Sequence, residues 1–300
     1  MLAISVVVPT YRRERVLVET LEALSRQLRP DDELLVIDQT ERHEPATDDR
    51  LRQLHETRVI RWIRQAPPSI TAAMNRGLLE ATREVVLFCD DDIVPGEELV
   101  TAHRGAHAAH PGIVVAGRVT QPWQRDGRRT APGGFASGEP RWIEEFMGGN
   151  FSVRRMDALQ LGGFDENFVQ VAYRFEAEFA HRVLSSGRRI RFEPAASLQH
   201  LHTSRGGTRS YGEHLRTAQP AHAVGAYYCA LRIGSYRGWL RECVTRPLRA
   251  IATRYHLRAP WWIPMTLVAE VRALVWAVRL HRSGPRLIRS SHPVVELEQV

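Results

Sequence analysis

The chain has 300 residues, of which 43% are hydrophobic and 25% charged, with a formal net charge of +7. This composition excludes a largely disordered chain and is sufficient for one large α/β domain with an appendage. The cysteines Cys89, Cys229 and Cys243 form no CxxC pair, which argues against a thiol-ligated metal and is typical of a reducing compartment. The N-terminus lacks the basic and small-residue signals of a leader, so we expect a cytoplasmic protein.

The charge is distributed unevenly, and every basic residue in it is arginine. Residues 201–300 contain 15 arginines against 5 acidic residues, whereas residues 1–200 contain 26 against 29. The positive charge therefore belongs to the C-terminal third. Such asymmetry predicts an anionic partner for this region, either membrane lipid or nucleic acid.

The first half of the chain alternates between strand and helix patterns, which is typical of βαβ units. Apolar runs predict strands at Ala3–Val8, Glu33–Ile37, Arg58–Ile63, Val85–Cys89 and Ile113–Val119. Helical spacing predicts helices at Arg13–Gln27, Ile70–Ala81 and Glu97–His110. Ser69 precedes the second of these helices and is its predicted N-cap. Residues 121–141 are rich in proline, glycine and arginine and predict a long, functional loop.

The second half predicts fewer strands. A helix is expected at Tyr173–Ser185, followed by two short strands at Arg189–Phe192 and Ser197–His200. Beyond about Gly212 the strand pattern ends and the sequence becomes helical and rich in arginine. We therefore predict a domain over residues 1–215 and a helical, basic extension over residues 216–300.

Three consecutive aspartates, Asp90–Asp92, follow the apolar run Val85–Cys89, so they stand where a buried strand reaches the surface. Open α/β sheets bind ligands beyond the carboxyl ends of their strands. Carboxylates packed so closely repel one another, and Mg²⁺ or Mn²⁺ shared with substrate phosphates is their usual neutraliser. A solvated acidic turn is the alternative interpretation.

The turn after the first strand, Pro9–Arg13, contains no glycine. A dinucleotide-binding fold needs a glycine-rich turn there for the pyrophosphate to approach the helix, so the dehydrogenase interpretation is disfavoured. Asp38 ends the second strand, where a carboxylate is placed to accept hydrogen bonds from a ribose or a base.

Several motifs, in this order and spacing, resemble glycosyltransferase family 2 over about residues 3–205. They are Pro9-Thr10-Tyr11-Arg12-Arg13, Asp38, Ala73-Met74-Asn75-Arg76-Gly77-Leu78, Phe88-Cys89-Asp90-Asp91-Asp92, Gly162-Gly163-Phe164-Asp165-Glu166, and Arg182 with Gly187. The resemblance implies an α/β GT-A fold, with a mixed, mainly parallel sheet flanked by helices. It also implies a nucleoside-diphosphate-sugar donor, a divalent metal and inversion at the anomeric carbon.

The resemblance also assigns residues to roles. The donor-binding residues that it implies are Pro9, Thr10, Tyr11, Arg13, Asp38, Asn75, Asp90 and Asp91. The metal ligands for Mn²⁺ or Mg²⁺ that it implies are Asp90, Asp92 and His200. The residues that it places near the donor sugar or the acceptor are Gly149, Asn150, Asp165 and Glu178. His202 is a lesser metal-site candidate, and Ser204–Arg209 is either a phosphate-binding loop or a flexible basic loop.

An inverting transfer needs a general base that takes the proton of the acceptor hydroxyl. Glu176 stands where the family usually has an aspartate, within Phe175–Glu178, and Arg182 follows at the family's spacing. Glu176 is therefore the predicted base. Glu178 lies about 200° further around the helix and faces another way. In the alternative interpretation, both glutamates are solvated charges on the helix. Glu178 has a second alternative, in which it pairs with Arg182 at i, i+4 spacing.

Residues 261–280 are mostly apolar, but Glu270, Arg272 and Arg279 interrupt them, so they do not predict a clean membrane span. Their tryptophans and arginines favour peripheral contact with the cytoplasmic face of a membrane, against the alternative of packing on the domain or another subunit. The predicted acceptor is a glycan or lipid-linked molecule of cell-envelope polysaccharide or glycolipid synthesis. The alternative function is a nucleotide-sugar-binding or scaffold protein with degenerate catalysis. No nucleic acid partner is expected, because the tail lacks a reading motif.

Overall fold

A computed structural model describes residues 2–124, 134–203 and 205–289. The strands are β1 Ile4–Thr10, β2 Glu33–Asp38, β3 Arg61–Arg64, β4 Val85–Cys89, β5 Ile93–Pro95, β6 Val114–Thr120, β7 Arg141–Ile143, β8 Asn150–Arg154 and β9 Ile190–His200. The helices are α1 Arg15–Ser25, α2 Pro45–Glu56, α3 Ile70–Glu80, α4 Leu99–Ala109, α5 Arg155–Gln160, α6 Phe175–Ser185, α7 Val224–Ile233, α8 Tyr236–Ile251, α9 Arg254–Arg258 and α10 Ile263–Arg282.

These strands form one mixed sheet in the order β3-β2-β1-β4-β8-β6-β9-β5, and β7 pairs with β9. The first four strands are parallel, so their carboxyl ends meet at one edge, where Thr10 pairs in register with Asp38. Beside β4 the direction reverses, because β8 runs antiparallel and Asn150 pairs with Cys89. The acidic cluster Asp90–Asp92 thus follows β4 where the parallel half of the sheet ends, a position at which open α/β sheets bind ligands.

The core lies on both faces of this sheet because successive strand residues point to opposite sides. Val7 and Phe88 belong to one buried cluster, and their neighbours Val6 and Leu87 belong to the other. Helix α3 packs closely on β1, where a Cβ on Gly77 would lie 2.4 Å from Val7 Cγ1. This packing fixes the strand ends that carry the acidic cluster.

The predicted elements are present, with some boundaries displaced. The Ser69 side chain accepts a hydrogen bond from Ala72 N, which confirms the predicted N-cap of α3. The two strands expected at 189–192 and 197–200 are one strand, β9, whose pairing with β6 shifts register between Gly117 and Arg118. Arg58 has a φ of 59°, so β3 begins at Arg61 and not at 58. Helices α2 and α5 and the short strands β5, β7 and β8 were not predicted from the sequence.

The described residues of the C-terminal third are mainly helical, as expected, and they pack on the preceding part of the chain. Phe168 and Ala177 share a buried cluster with residues of α7 and α10, including Tyr228 and Ala273. The inner face of α10 therefore packs on the protein, as one of the two sequence-based alternatives proposed. Among the described residues, no helix combines the length and the apolar character required to cross a bilayer.

Candidate active site

A cavity of about 210 Å³ opens at the carboxyl ends of β1 and β4. Eight residues predicted for the site line it together: Pro9, Thr10, Tyr11, Arg13, Asp90, Asp91, Asp92 and His200. Gly207 and Thr208, from the predicted phosphate-binding or basic loop, also line it. The structure adds lining residues that the sequence did not suggest: Gln39, Pro68, Ser69, Ile70, Gln170 and Tyr211.

Arg13 pairs with two of the three aspartates of the acidic cluster. Its Nε lies 2.9 Å from Asp91 Oδ1, and its Nη2 lies 3.1 Å from Asp92 Oδ2, with the arginine side chain 6% exposed. Nη1 donates to Thr203 Oγ1 and to the backbone oxygen of Arg205. One buried guanidinium thus compensates two buried carboxylates, which would otherwise be strongly destabilising.

Asp91, the middle aspartate, is turned into the protein. Its Oδ2 accepts a hydrogen bond from Thr10 Oγ1 at 2.8 Å, and its Oδ1 accepts from Arg13 Nε. Burial raises the pKa of Asp91 to about 6, although Arg13 acts in the opposite direction. Asp91 therefore joins the end of β1 to the acidic cluster.

Asp92 joins the cluster to the last strand. Its Oδ1 lies 3.0 Å from His200 Nε2, and its Oδ2 accepts from Thr203 N at 3.0 Å and Thr203 Oγ1 at 2.9 Å. Burial alone would raise the pKa of Asp92, but the hydrogen bond from His200 and the charge of Arg13 lower it to about 2. This carboxylate is thus held in its ionised form, the form that binds a cation.

Asp90 faces the cavity, with 47% of its side chain exposed. Its Oδ2 lies 3.9 Å from His200 Nε2, so Asp90, Asp92 and His200 converge on one place. Within the described ranges, no group of three or more potential ligand side chains is close enough to hold a metal by itself. Two carboxylates and an imidazole nevertheless fit Mn²⁺ or Mg²⁺, because such ions usually complete their coordination with water and substrate phosphates.

Two adjacent glycines bring the acidic cluster and helix α6 close together. A Cβ on Gly149 would lie 2.0 Å from Asp90 Oδ2, and one on Gly148 would lie 2.7 Å from the Phe175 ring. Gly149 O also accepts a hydrogen bond from Asp90 N at 3.2 Å. Gly149, which the resemblance places near the sugar, thus provides the room that Asp90 occupies.

Glu176 is the second residue of α6, which begins directly after Arg174, whose φ is 74°. Burial raises the pKa of Glu176 to about 7, and the charges of Asp90 and Glu145 act in the same direction against Arg174. A glutamate with this pKa is suited to accept a proton near neutral pH.

Asp38 does not line the cavity, because its carboxylate has partners inside the protein. Its Oδ2 lies 3.0 Å from His43 Nε2 and accepts from Trp62 Nε1 at 2.9 Å. Thr40 N donates to its Oδ1 at 2.8 Å. Asp38 therefore fixes the chain after β2, and the next residue, Gln39, reaches the cavity.

Two predicted asparagines also have partners inside the protein. Asn75 Oδ1 accepts from Phe164 N at 2.7 Å, and its Nδ2 donates to Phe164 O at 2.8 Å. Asn150 Nδ2 donates to Ala196 O at 2.9 Å, and its Oδ1 lies 2.9 Å from His103 Nε2. These side chains hold the Gly162–Glu166 loop and the start of β8 in place.

The two remaining predicted acids lie in a buried network. Asp165 accepts from Tyr228 Oη at 2.6 Å, and Glu178 lies 2.8 Å from Arg182 Nη2 and 3.2 Å from Arg232 Nη2. The alternative in which Glu178 pairs with Arg182 is thus present. The structure does not bring Asp165 or Glu178 into the cavity.

The segment after β9 closes one side of the cavity. Gly207 N donates to Tyr11 O at 2.7 Å, and a Cβ on Gly206 would lie 2.3 Å from Arg12 O. Gly207 and Thr208 line the cavity with Tyr211, whereas Ser204, in the predicted loop, lies outside the described residues. The paired glycines were the one signal in the sequence for this close approach.

The comparisons with known proteins agree with this architecture. A model of glycosyl transferase family 2 matches residues 5–178. The chain is 25% identical over 220 residues to the protein named "Probable glycosyltransferase YdaM" of Bacillus subtilis (strain 168). The matched region covers 64% of this chain and 49% of the relative. The chain therefore spans about half the length of that curated relative.

Two solved structures share the fold. One is GalNAc-T7 with UDP, GalNAc and Mn²⁺, at a TM-score of 0.57 and 14% identity, covering 67% of this chain and 44% of that one. The other is the mannosyltransferase PcManGT from Pyrobaculum calidifontis with GDP-Man and Mn²⁺, at a TM-score of 0.57 and 23% identity, covering 94% and 79%. The expected GT-A fold is thus confirmed. Because the family match covers more than half of the chain, the protein belongs to glycosyl transferase family 2.

Proposed function

We propose that this protein is a metal-dependent, inverting glycosyltransferase that moves a sugar from a nucleoside diphosphate to a hydroxyl acceptor. The observation that carries the proposal is the convergence of Asp90, Asp92 and His200 in one cavity. Glu176 does not line this cavity, but its neighbour Phe175 packs against Gly148, next to the glycine that contacts Asp90. Membership of glycosyl transferase family 2 and the nucleotides and Mn²⁺ named for the two solved structures support it.

The donor diphosphate is expected at the acidic cluster. A bound Mn²⁺ or Mg²⁺ stabilises the negative charge that develops on the leaving diphosphate. Asp90, Asp92 and His200 would hold the ion, while Arg13 keeps Asp92 in place. The nucleoside would then extend along the end of β1 toward Gln39, with Gly207, Thr208 and Tyr211 on its other side.

Glu176 is proposed as the general base. It accepts the proton of the acceptor hydroxyl as the oxygen attacks the anomeric carbon from the side opposite the diphosphate. The packing of its neighbour Phe175 against Gly148 holds the start of α6, where Glu176 lies, beside the segment that contacts Asp90. A base with a pKa of about 7 is ionised often enough to act and basic enough to hold the proton.

A panel of nucleoside diphosphates and their sugars, tested by thermal shift with and without Mn²⁺, examines this proposal. A donor that binds the folded state raises the melting temperature, and the increase should require the metal. Turnover of the stabilising donor is then measured. Metal-dependent binding with no hydrolysis or transfer would favour a nucleotide-sugar-binding protein instead, and the absence of any metal-dependent shift would contradict the donor site.

We also propose that the C-terminal helices contact the cytoplasmic face of an anionic membrane and that the acceptor is lipid-linked or part of an envelope glycan. Helix α8 exposes Leu240, Val244 and Leu248, spaced four residues apart on one side of the helix. The exposed residues of α10 include Val268, Val271 and Val275. The 10 excess positive charges of residues 201–300 match an anionic surface, which attracts basic residues by about 1 kcal/mol each.

Co-sedimentation with phosphatidylglycerol or phosphatidylcholine vesicles, at low and high salt, tests the membrane contact. Leu257 and Trp261 are 83% and 69% exposed, so serine substitutions there should weaken binding without disturbing the core. Met156→Ser, at an apolar residue that is 54% exposed elsewhere, is the matched control. Binding that is absent under all conditions, or unaffected by Leu257→Ser and Trp261→Ser, would contradict the proposal.

A further inference from the structure

A second cavity, of about 390 Å³, lies beside the candidate active site, between residues 171–173 and helices α8 and α10. Gln170 lines the active-site cavity, whereas Val171 and Tyr173 line the second one. Glu176 follows Tyr173 by three positions. A Cβ on Gly225 would lie 2.3 Å from Tyr173 O, so α7 packs directly on this segment. The segment that leads to the proposed base thus forms part of the wall of the second cavity and is held in place by α7.

Arg246, on α8, has a fixed orientation in this cavity. Its Cζ lies 5.9 Å from the centroid of the Tyr173 ring and 5.6 Å from that of Tyr227. Its Nε lies 3.2 Å from Glu270 Oε2, and its Nη2 donates to His222 O at 3.2 Å. Two aromatic faces and a carboxylate therefore orient the guanidinium, so that little entropy is lost when it binds an anion.

Among the titratable side chains of the rest of the cavity wall, basic ones predominate. Arg249, His214 and His222 stand against one carboxylate, Glu270, which already pairs with Arg246. Burial lowers the pKa of His214, and His222 and Arg246 lower it further against Glu213, so the positive charge of the wall belongs mainly to the two arginines.

Arg249 is available to a ligand at low cost. Its side chain is 66% exposed, and it pairs at 2.7 Å with Glu242, which lies on the same helix. Exposed pairs of this kind contribute about 0–1 kcal/mol, so an anion with a better geometry competes with them easily. A phosphate that bridges Arg246 and Arg249 gains charge-assisted hydrogen bonds from both.

We propose that this cavity binds a phosphate group of the sugar acceptor, held by Arg246 and Arg249, and thereby places the acceptor hydroxyl near Glu176. This inference rests on the proposed function for its link to an acceptor, but the phosphate site itself does not. Helices α8 and α10 both form the cavity wall and carry the exposed apolar residues. The phosphate of a lipid would therefore enter the cavity from the proposed membrane side.

Calorimetric titration of the full chain with inorganic pyrophosphate, in the absence of divalent cations, tests the site. Omission of the metal disfavours pyrophosphate binding at the acidic cluster. We expect Arg249→Gln to weaken binding about 10-fold or more, the scale of one charge-assisted hydrogen bond. Arg241→Gln, which removes an exposed arginine of the same helix outside the cavity wall, is the matched control and should bind as the wild type does. Arg246→Lys keeps the charge against Glu270 and should also weaken binding, because it loses the oriented guanidinium.

The source of the phosphate is distinguished with phosphatidylcholine vesicles that contain a polyprenyl-diphosphate-linked sugar, whose sugar carries the acceptor hydroxyl, compared with a soluble sugar phosphate. Vesicle binding that falls in Arg249→Gln indicates a lipid acceptor, and preference for the soluble ligand indicates a soluble one. Equal affinities of wild type, Arg249→Gln and Arg246→Lys for pyrophosphate, or equal losses in Arg241→Gln, would overturn the site. The metal-dependent thermal shift with nucleoside diphosphates, measured on the same variants, should not change. If that shift is absent even in the wild type, the donor site fails independently of this inference.

Discussion

Replacement of Glu176 by glutamine tests the proposed base most directly, because it removes the proton acceptor and nearly preserves the size of the side chain. The loss of a general base typically lowers the rate by about 10²–10⁴-fold. Burial and the charges of Asp90 and Glu145 raise the pKa of Glu176 to about 7. At neutral pH, Glu176 is therefore ionised in about half of the protein molecules. Since the base must be ionised, kcat/KM should fall about tenfold for each pH unit below this value.

Initial transfer rates between pH 5.5 and 8.5, at saturating Mn²⁺, measure this dependence, and thermal shift measures donor affinity in the same buffers. Donor affinity should be nearly unchanged in Glu176→Gln, whereas the acidic limb of kcat/KM should disappear with most of the rate. Glu178→Gln is the comparison, because Glu178 pairs with Arg182 and Arg232 and its loss should lower the melting temperature and leave the acidic limb in place.

A flat rate profile between pH 6 and 8 would refute the assignment, as would a Glu176→Gln variant that retains more than about one tenth of the wild-type rate. If Glu178→Gln removed the acidic limb and left stability unchanged, the base would have to be reassigned to Glu178.

Asp92→Asn should abolish Mn²⁺-dependent donor stabilisation in thermal shift, while Asp91→Asn should reduce it less; equal effects would contradict the separate orientations of the two side chains. Gly149→Ala should displace Asp90 and so weaken metal-dependent donor binding, while the melting temperature without donor stays unchanged. Gly105→Ala, where a Cβ meets nothing within 4 Å, should leave donor binding unchanged. Burial disfavours the charged form of His43, but Asp38 and Glu14 raise its pKa above the ordinary value. The ion pairs of His43 therefore stabilise the folded state fully below about pH 6.5, the pKa of an unperturbed histidine. This contribution to the free energy of unfolding is lost as the pH rises through the folded-state pKa. Denaturant titrations from pH 5.5 to 9 should show this decline in the wild type and not in His43→Gln, and equal slopes would contradict it.

The sequence predicted the acidic cluster and its place in the fold because local patterns determine both. An apolar run of strand length followed by aspartates defines a strand end without knowledge of any distant partner. The parallel arrangement then brings Thr10 and Arg13, at the end of β1, to Asp91 and Asp92, at the end of β4. For these residues, the local pattern and the topology agree.

The sequence did not reveal which polar residues serve the fold, because their partners are distant along the chain. Asn75 bonds to Phe164, which is 89 positions away, and Asp165 accepts from Tyr228, which is 63 positions away. A motif shows the chemical type of a side chain but not its contacts. Gln39 is the converse case, a residue that lines the cavity although nothing in its sequence context indicated it. It lies there because the neighbouring Asp38, which accepts a hydrogen bond from Thr40 N, fixes the chain on both sides of it.

The C-terminal third is tied to the catalytic half by more than apolar packing, and this affects how its role is tested. Arg286 N donates to Asp165 Oδ1 at 2.9 Å, and Ile288 N donates to Gly162 O at 2.8 Å, so the segment after α10 binds the Gly162–Glu166 loop. That loop holds Asn75 on α3, which also begins beside the cavity. Removal of residues 216–300 would therefore expose a buried cluster and release this loop, so that a loss of activity would say nothing about membranes. Substitutions at exposed positions, such as Leu257 and Trp261, separate the two roles because they leave the shared core intact.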